Sequence, residues 1–273
     1  MPDSQPQPQE LVVTVLGAYL TDRHRTVWSG GLVRLLCEMG FSTAAARVAL
    51  ARMVGRELLT RERDGRLVHY RMTARCVALL EEGDRRIFSL GQPARRRNEP
   101  WTVLWHAIPD ECRLERGRLA RRLRFLGFGS VQDGTWIAAR DRQREVAAVL
   151  HDLGVAGYAG LMVGKPSTSL DFAAFAVRTW DLDGLAERYG AFVDEFGSHA
   201  DSSGGPGLDE GAAFLLRTRL VHTFREFPAL DPELPAEVIA PPAHRGEALR
   251  IFRRLFGTLQ APAQRHFDAV ATP

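Results

Sequence analysis

The chain has 273 residues, 45% of them apolar and 25% charged, with a net charge of +3. That length allows two or three small domains, and the composition is ordinary for a soluble globular protein. It excludes a membrane helix, because no stretch approaches the ~20 consecutive apolar residues a span needs, and a cysteine framework, because Cys37, Cys76 and Cys112 are odd in number, far apart and without C-x-x-C spacing.

Charge is placed unevenly. Residues 1–97 hold 16 arginines against 10 acidic residues, a net of +6, which leaves 20 basic and 23 acidic residues, a net of −3, in the rest. A basic head on a mildly acidic body points to a polyanion at the head. Lys165 is the only lysine, which a GC-rich coding bias explains, so it is the placement of arginine that is informative and not its abundance. Each cysteine is expected to be a small buried hydrophobe. The first ten residues lack the apolar run of a signal peptide, so a cytoplasmic location is expected.

Residues 1–9 offer little to bury and are expected to be a disordered tail. Leu11, Val12, Val15, Leu16 and Tyr19 form a helical stripe. Ser29 precedes a second helix through Leu32, Leu35, Leu36 and Met39, with Gly40 as its stop. Ser42 or Thr43 caps a third helix over about 43–57. Its apolar stripe is Ala46, Leu50 and Met53. The opposite face carries Ala44, Arg47 and Ala51, with Val48 beside them and Arg52 and Arg56 flanking. Two strand-like runs follow, Thr60–Arg63 and Arg66–Arg71, around Asp64-Gly65, a hairpin signal because glycine tolerates positive φ. Thr73 opens a fourth helix. This is the pattern of a winged helix-turn-helix over residues 10–91.

Residues 92–100 read as a linker with two prolines and the run Arg95–Arg97, which either touches phosphate or is solvated. Trp101–Ile108 is a compact apolar strand. A helix through Leu119, Leu123 and Leu126, a strand pair around Asp133-Gly134, a helix over 141–153 and a last strand over 157–163 complete a β-α-β-β-α-β order, the ferredoxin-like plan, over 101–165. A mainly helical third domain is expected over 177–268, interrupted by a flexible loop at 197–209. The fold class is α+β.

Three stretches carry a family resemblance: Trp28-Ser-Gly-Gly-Leu-Val-Arg-Leu-Leu36 with Arg47-Val-Ala-Leu-Ala-Arg-Met53; Trp101-Thr-Val-Leu-Trp105; and Arg219-Leu-Val-His-Thr-Phe-Arg-Glu-Phe-Pro-Ala-Leu-Asp-Pro-Glu-Leu-Pro235. With them the chain resembles the PaaX family of bacterial transcriptional repressors over roughly residues 10–268. The resemblance implies a Cas2-like central domain, a homodimer on double-stranded operator DNA, control of phenylacetate-type catabolism, and release by an acyl-CoA effector such as phenylacetyl-CoA. The residues themselves carry no metal-ligand spacing, nucleophile–base arrangement or apolar span, so no enzyme activity, cofactor, metal or membrane is expected.

Direct base readout is expected from Arg47, with Ser42 and Thr43 at the helix N-terminus and Ala44, Val48 and Ala51 at thymine methyls. Arg52 and Arg56 are placed to hold phosphate. Arg61, Arg63 and Arg66 surround the wing tip, where arginine suits a narrow minor groove; His69 and Arg71 face solvent or DNA. For the effector, composition nominates Trp105, Trp136, Arg121 and Arg122 in the middle domain and Arg219, His222 and Arg225 in the third. The alternative function is a metal-dependent nuclease of Cas2-like type using Asp110 or Glu111 after the first strand. Against it, acidic residues there also suit a helix N-terminus.

Overall fold

Pro8 presets the backbone dihedral of a first helical turn and needs no N–H partner there. The first helix, α1 (Pro8–Tyr19), accordingly begins inside the expected tail, with Gln9 already buried. The computed structural model describes residues 6–91, 96, 98–167, 169, 171–201 and 207–273. The remainder of the tail, 1–5, and most of the Arg95–Arg97 run lie outside the described residues.

These residues form two compact units, neither continuous in sequence. The first comprises residues up to Phe88, Asp194–Arg225 and Leu249–Pro273; the second comprises Ser89–Val193 and Glu226–Ala248. The sequence reading divides the chain into consecutive pieces. The structure instead gathers helices from both ends of the chain around one core.

In the first unit α1 packs with α2 (Ser29–Glu38) and α3 (Thr43–Gly55). Gly40 ends α2 at φ +94°, and the Ser42 hydroxyl accepts from Ala45 N at 3.1 Å to start α3. Strands β2 (Leu59–Asp64) and β3 (Leu67–Met72) pair antiparallel, with Leu59 opposite Met72. A two-residue strand, β1 (Val27–Trp28), adds to β3 and makes the order β1-β3-β2. It is too short for periodicity to reveal. The Thr73 hydroxyl accepts from Cys76 N at 3.2 Å and so opens α4 (Ala74–Ser89). The C-terminal helices α9 (Glu210–Phe224), α11 (Arg245–Thr258) and α12 (Gln260–Ala271) bring aromatic side chains to the same core. Tyr19 stacks on Phe267 with centroids 5.3 Å apart, and Phe224 on Phe252 at 3.7 Å. The Tyr19 hydroxyl lies 3.0 Å from Thr218 Oγ1 and donates to Phe214 O at 3.2 Å. Buried Arg217 donates to Ala18 O at 3.1 Å and lies over the Tyr19 ring.

In the second unit β4 (Trp101–His106), α5 (Arg113–Phe125), β5 (Gly129–Gln132), β6 (Thr135–Ala138), α6 (Gln143–Asp152) and β7 (Ala159–Gly164) follow the expected β-α-β-β-α-β order. The sheet is antiparallel with order β5-β6-β4-β7. Numbered within the domain this is 4-1-3-2, the ferredoxin-like arrangement. Side chains alternate between its faces. Leu104, Trp136 and Ala138 join Leu119, Leu123, Val146 and Leu150 beneath α5 and α6. Trp101, Ile137 and Ala139 face the other way and meet Ala176 and Trp180.

That second face is covered by α7 (Phe172–Thr179), which lies outside the expected 101–165 domain. Asp171 caps it, accepting from Ala173 N at 3.0 Å and Ala174 N at 3.4 Å. The following helix, α8 (Leu182–Asp201), runs through the first part of the expected loop 197–209. Phe192, Phe196 and Ala200 recur at i, i+4 and i+8 and are all buried, so the apolar stripe continues where glycine and serine suggested a break. Residues 202–206 lie outside the described residues. A short helix, α10 (Phe227–Leu230), ends at Asp231. Of the cysteines only Cys76 is fully buried; Cys37 and Cys112 are partly exposed, and all three are free. Among the described residues no helix is long and apolar enough to cross a membrane.

Candidate nucleic-acid interface

The outer face of α3 is set by its inner one. Ala46, Ala49, Leu50 and Met53 are buried against the first unit's core, which turns Ala44, Arg47, Val48, Ala51 and Arg52 outward, all exposed. Val48 is 49% exposed, an apolar side chain left in solvent on an otherwise polar-flanked stripe. Ser42 and Thr43 are exposed at the N-terminal end and Arg56 at the C-terminal end. Among the described residues Arg47, Arg52 and Arg56 form no ion pair, so their guanidinium groups are uncommitted.

The hairpin divides its residues by face. Leu59, Arg61 and Arg63 on β2 share a side with Val68, Tyr70 and Met72 on β3, the side that carries Leu59 and Met72 into the core. Glu62, His69 and Arg71 share the other. The tight turn is Gly65-Arg66, with Asp64 paired to Leu67 and Gly65 at φ +57°. Glycine thus occupies the first central position, and Arg66 stands at the tip. Arg61, Arg63 and Arg66 are exposed and form no ion pair among the described residues.

Arg71 is committed differently. Its Nε donates to Glu62 Oε1 at 2.5 Å and its Nη2 to Glu62 Oε2 at 3.0 Å, while Nη1 donates to His24 O. The hydrogen bonds from Arg71 hold the Glu62 carboxyl below its ordinary value. Arg71 therefore ties the hairpin to the segment before β1. The structure brings ten of the thirteen DNA candidates onto the α3 stripe and its ends or the hairpin's inner face: Ser42, Thr43, Ala44, Arg47, Val48, Ala51, Arg52, Arg56, Arg61 and Arg63. Arg66 is at the tip, and His69 and Arg71 are on the opposite face.

The seven effector candidates are spread. Trp136 is buried under the helices of the second unit, with Arg124 over its ring at 5.4 Å. Trp105, 46% exposed, points to the opposite face of the same sheet. Arg121 and Arg122 are exposed on α5, and Arg122 pairs with Asp152 at 3.0 Å. Arg219, His222 and Arg225 belong to the first unit. Arg219 pairs with Glu195. Arg225 donates to Glu10 O at 3.2 Å and Thr14 Oγ1 at 2.9 Å, and His222 Nδ1 lies 3.1 Å from Thr14 Oγ1.

Burial, and then the charge of Arg225, push the His222 pKa below the ordinary histidine value. A histidine whose folded pKa is depressed favours the neutral form. Its contribution is complete above the unfolded value of ~6.5 and is lost as pH falls through the folded one. Thermal midpoints measured from pH 7.5 down to 5 should therefore fall more steeply for the wild type than for His222→Gln. Parallel curves below pH ~6 would show that His222 does not titrate against folding.

One cluster was not foreseen. Asp231, with its side chain 2% exposed, accepts from Tyr189 Oη at 2.7 Å and Arg245 Nε at 2.6 Å. Glu233 accepts from Gly91 N at 2.7 Å and from Arg140, and its own N–H donates to Asp231 Oδ1 at 2.7 Å. The tract Asp231-Pro-Glu-Leu-Pro235 was visible as a motif, but its partners lie 42, 93 and 14 residues away in sequence.

Asp110 and Glu111 sit in a one-turn 3₁₀ helix (Asp110–Cys112) leading into α5, and Asp110 pairs with Arg116 at 3.0 Å. Among the described residues no group of three or more His, Cys, Asp or Glu is placed to hold a metal ion.

Three family profiles match the chain in order: "PaaX-like protein" over residues 7–76, "PaaX protein central Cas2-like domain" over 94–174, and "PaaX-like protein C-terminal domain" over 180–269. The Escherichia coli (strain K12) transcriptional repressor PaaX is 27% identical over 247 residues, covering 86% of this chain and 74% of that protein. The solved structure of the uncharacterized protein Rv0674 from Mycobacterium tuberculosis has the same fold, with a TM-score of 0.59 at 23% identity, over 97% of this chain and 100% of that one.

Proposed function

Because this chain belongs to the PaaX family of transcriptional repressors, we propose that it represses by binding operator DNA through a winged helix-turn-helix, with α3 in the major groove and the β2–β3 hairpin as the wing. The observation that supports this reading is the exposed α3 stripe with its uncommitted arginines, together with exposed Arg61 and Arg63 on the hairpin, unpaired among the described residues. Arg47 stands mid-stripe, where a guanidinium reaches guanine O6 and N7 together. Val48 and Ala51 beside it suit thymine methyls. Arg52 and Arg56 flank the stripe and hold phosphate, which gives affinity without sequence. Arg66 enters the minor groove at the wing tip. A single such unit spans only a few base pairs, so a homodimer on two half-sites is part of the reading. The operon is of phenylacetate-catabolic type, and phenylacetyl-CoA or a related acyl-CoA releases the operator.

Gel shifts on operator and scrambled DNA across a salt series test the proposal. Arg47→Ala should lower the preference for operator over scrambled DNA about tenfold, since a bidentate base contact is worth ~1–3 kcal/mol of discrimination. Arg52→Ala should weaken both DNAs alike and reduce the salt slope by about one. An unchanged operator preference in Arg47→Ala would remove α3 from base readout.

A further inference from the structure

The tract after Asp231 does more than hold a salt bridge. Three non-glycine residues have positive φ among the described residues, and two of them, Glu233 at +48° and His244 at +62°, bracket the proline-punctuated loop 234–243. Side chains with a β-carbon rarely adopt that conformation, and it recurs at hinges and ligand clamps. The loop forms one wall of a half-open cleft of about 290 Å³, whose other wall is the start of α8 and the end of α7. Val177, Trp180, Leu182 and Ala186 line one side, and Ile239 and Pro242 the other. A smaller cavity of about 30 Å³, room for a single water, continues under the loop past Leu234 to Asp231 and Arg245.

We propose that this cavity is a small-molecule site for a compact, uncharged aryl or short acyl group, and that residues 234–243 are its lid, hinged at Glu233 and His244. Size sets the class. An apolar void of ~150 Å³ accommodates benzene, so about 290 Å³ takes one ring with a short substituent but not a nucleotide. Charge sets the polarity. The two exposed ionisable residues at the rim, Asp181 and Asp183, are both acidic. Arg245, which lines the adjoining smaller cavity, is already engaged by Asp231 and Glu233. An anionic end therefore gains nothing here, and a ligand such as an acyl thioester would enter by its acyl end with its phosphates outside. The lid also has a path to the rest of the chain. Glu233 holds the N–H of Gly91, two residues after the chain enters the second unit at Ser89, and His244 directly precedes α11, which enters the first unit at Leu249.

Operator release by such a ligand rests on the repressor reading above; the cavity and its ligand class do not. The test is calorimetry of the full chain with benzyl alcohol, phenylacetate and phenylacetyl-CoA, repeated on Ala186→Trp and Ala240→Trp. The first variant fills the cavity wall, and the second fills it from the exposed lid, where folding is least at risk. Benzyl alcohol should bind at least fivefold tighter than phenylacetate, and both variants, at wild-type thermal midpoint, should lose at least tenfold in affinity for each probe that binds. Hydrogen exchange at residues 234–243 should slow when a probe is bound. Saturable binding of none of the three to wild type, binding that survives Ala240→Trp, or a preference for phenylacetate overturns the site. Binding that is lost in the variants but never releases operator in a gel shift supports the site and refutes the effector reading alone.

Discussion

Asp231→Ala should lower the stability of the second unit by about 3–5 kcal/mol, the range for breaking a buried ion pair by removing one partner. The cost comes from what remains. Arg245 Nε is left in a site where its side chain is 17% exposed, with Glu233 at 3.5 Å the one remaining ion-pair partner among the described residues. The Tyr189 hydroxyl loses its acceptor beneath the Phe227 ring, on which Tyr189 stacks at 4.1 Å. Burial and then the neighbouring Asp231 charge raise the Tyr189 pKa, so the phenol keeps its proton and serves as donor. The Glu233 N–H also loses its acceptor, and with it a bond holding a residue at positive φ. Tryptophan fluorescence isolates this unit, because Trp101, Trp105, Trp136 and Trp180 lie in it and only Trp28 does not. The thermal midpoint by that signal should fall about 10 °C or more. Asp231→Asn keeps an acceptor for Tyr189 and should fall less. In a double-mutant cycle, Asp231→Ala with Arg245→Met should cost clearly less than the sum of the two, because the second change removes the charge that the first stranded. A shift under ~1 kcal/mol in Asp231→Ala, or additive losses, would mean the network contributes little to holding this unit together.

Local chemistry was legible wherever a signal sits within a few residues. The Ser42 cap, the Gly40 stop, the apolar stripe Ala46–Leu50–Met53 and the hairpin at Gly65 follow from short-range rules, and each fixes which side chains of α3 and β2 point outward. The central β-α-β-β-α-β order was legible for the same reason. What was hidden depends on long-range partners. Nothing near Tyr19 announces that Phe214 and Phe267 complete its surroundings, nor does anything near Arg140 announce Glu233. Two residues are too few to show that Val27–Trp28 is a strand. Composition misled at 197–201, where glycine, serine and histidine suggested a loop; the i, i+4 phase of Phe192, Phe196 and Ala200 was the stronger signal. Residue type alone nominates the effector candidates, and residue type does not say that Trp105 and Trp136, on adjacent antiparallel strands, face opposite sides of a sheet.

Gly31→Ala should weaken folding and operator binding together, whereas Gly30→Ala should do neither to a comparable degree. The two glycines are neighbours in the Trp28-Ser-Gly-Gly motif, and both substitutions remove ~1 kcal/mol of helix-propensity penalty. Their surroundings differ. A β-carbon on Gly31 would lie 2.4 Å from Val270 O and 2.7 Å from Ala271 Cα, main-chain atoms of α12. On Gly30 its nearest neighbours would be atoms of the Trp28 ring, at 2.4 Å, the outer end of a side chain that is partly exposed. Helix α12 is held in place. Phe267 is fully buried against Tyr19, His266 Nε2 lies 2.7 Å from a Glu38 carboxylate oxygen, Gln264 donates to Tyr19 O at 3.1 Å, and Arg25 donates to Asp268 at 2.7 Å. An added methyl must push α12 off α2, and overpacking of this kind costs ~1–3 kcal/mol, more than the propensity gain. Because α2 packs directly on α3 and β3, the displacement reaches the α3 stripe. Operator affinity of Gly31→Ala should fall at least fivefold at 25 °C, and a chain ending at Leu259 should show the same loss in stronger form. The order of effects is the decisive measurement: if Gly30→Ala is the more damaging, or if Gly31→Ala matches wild type in thermal midpoint and operator affinity, the C-terminal helix does not brace α2 and α3.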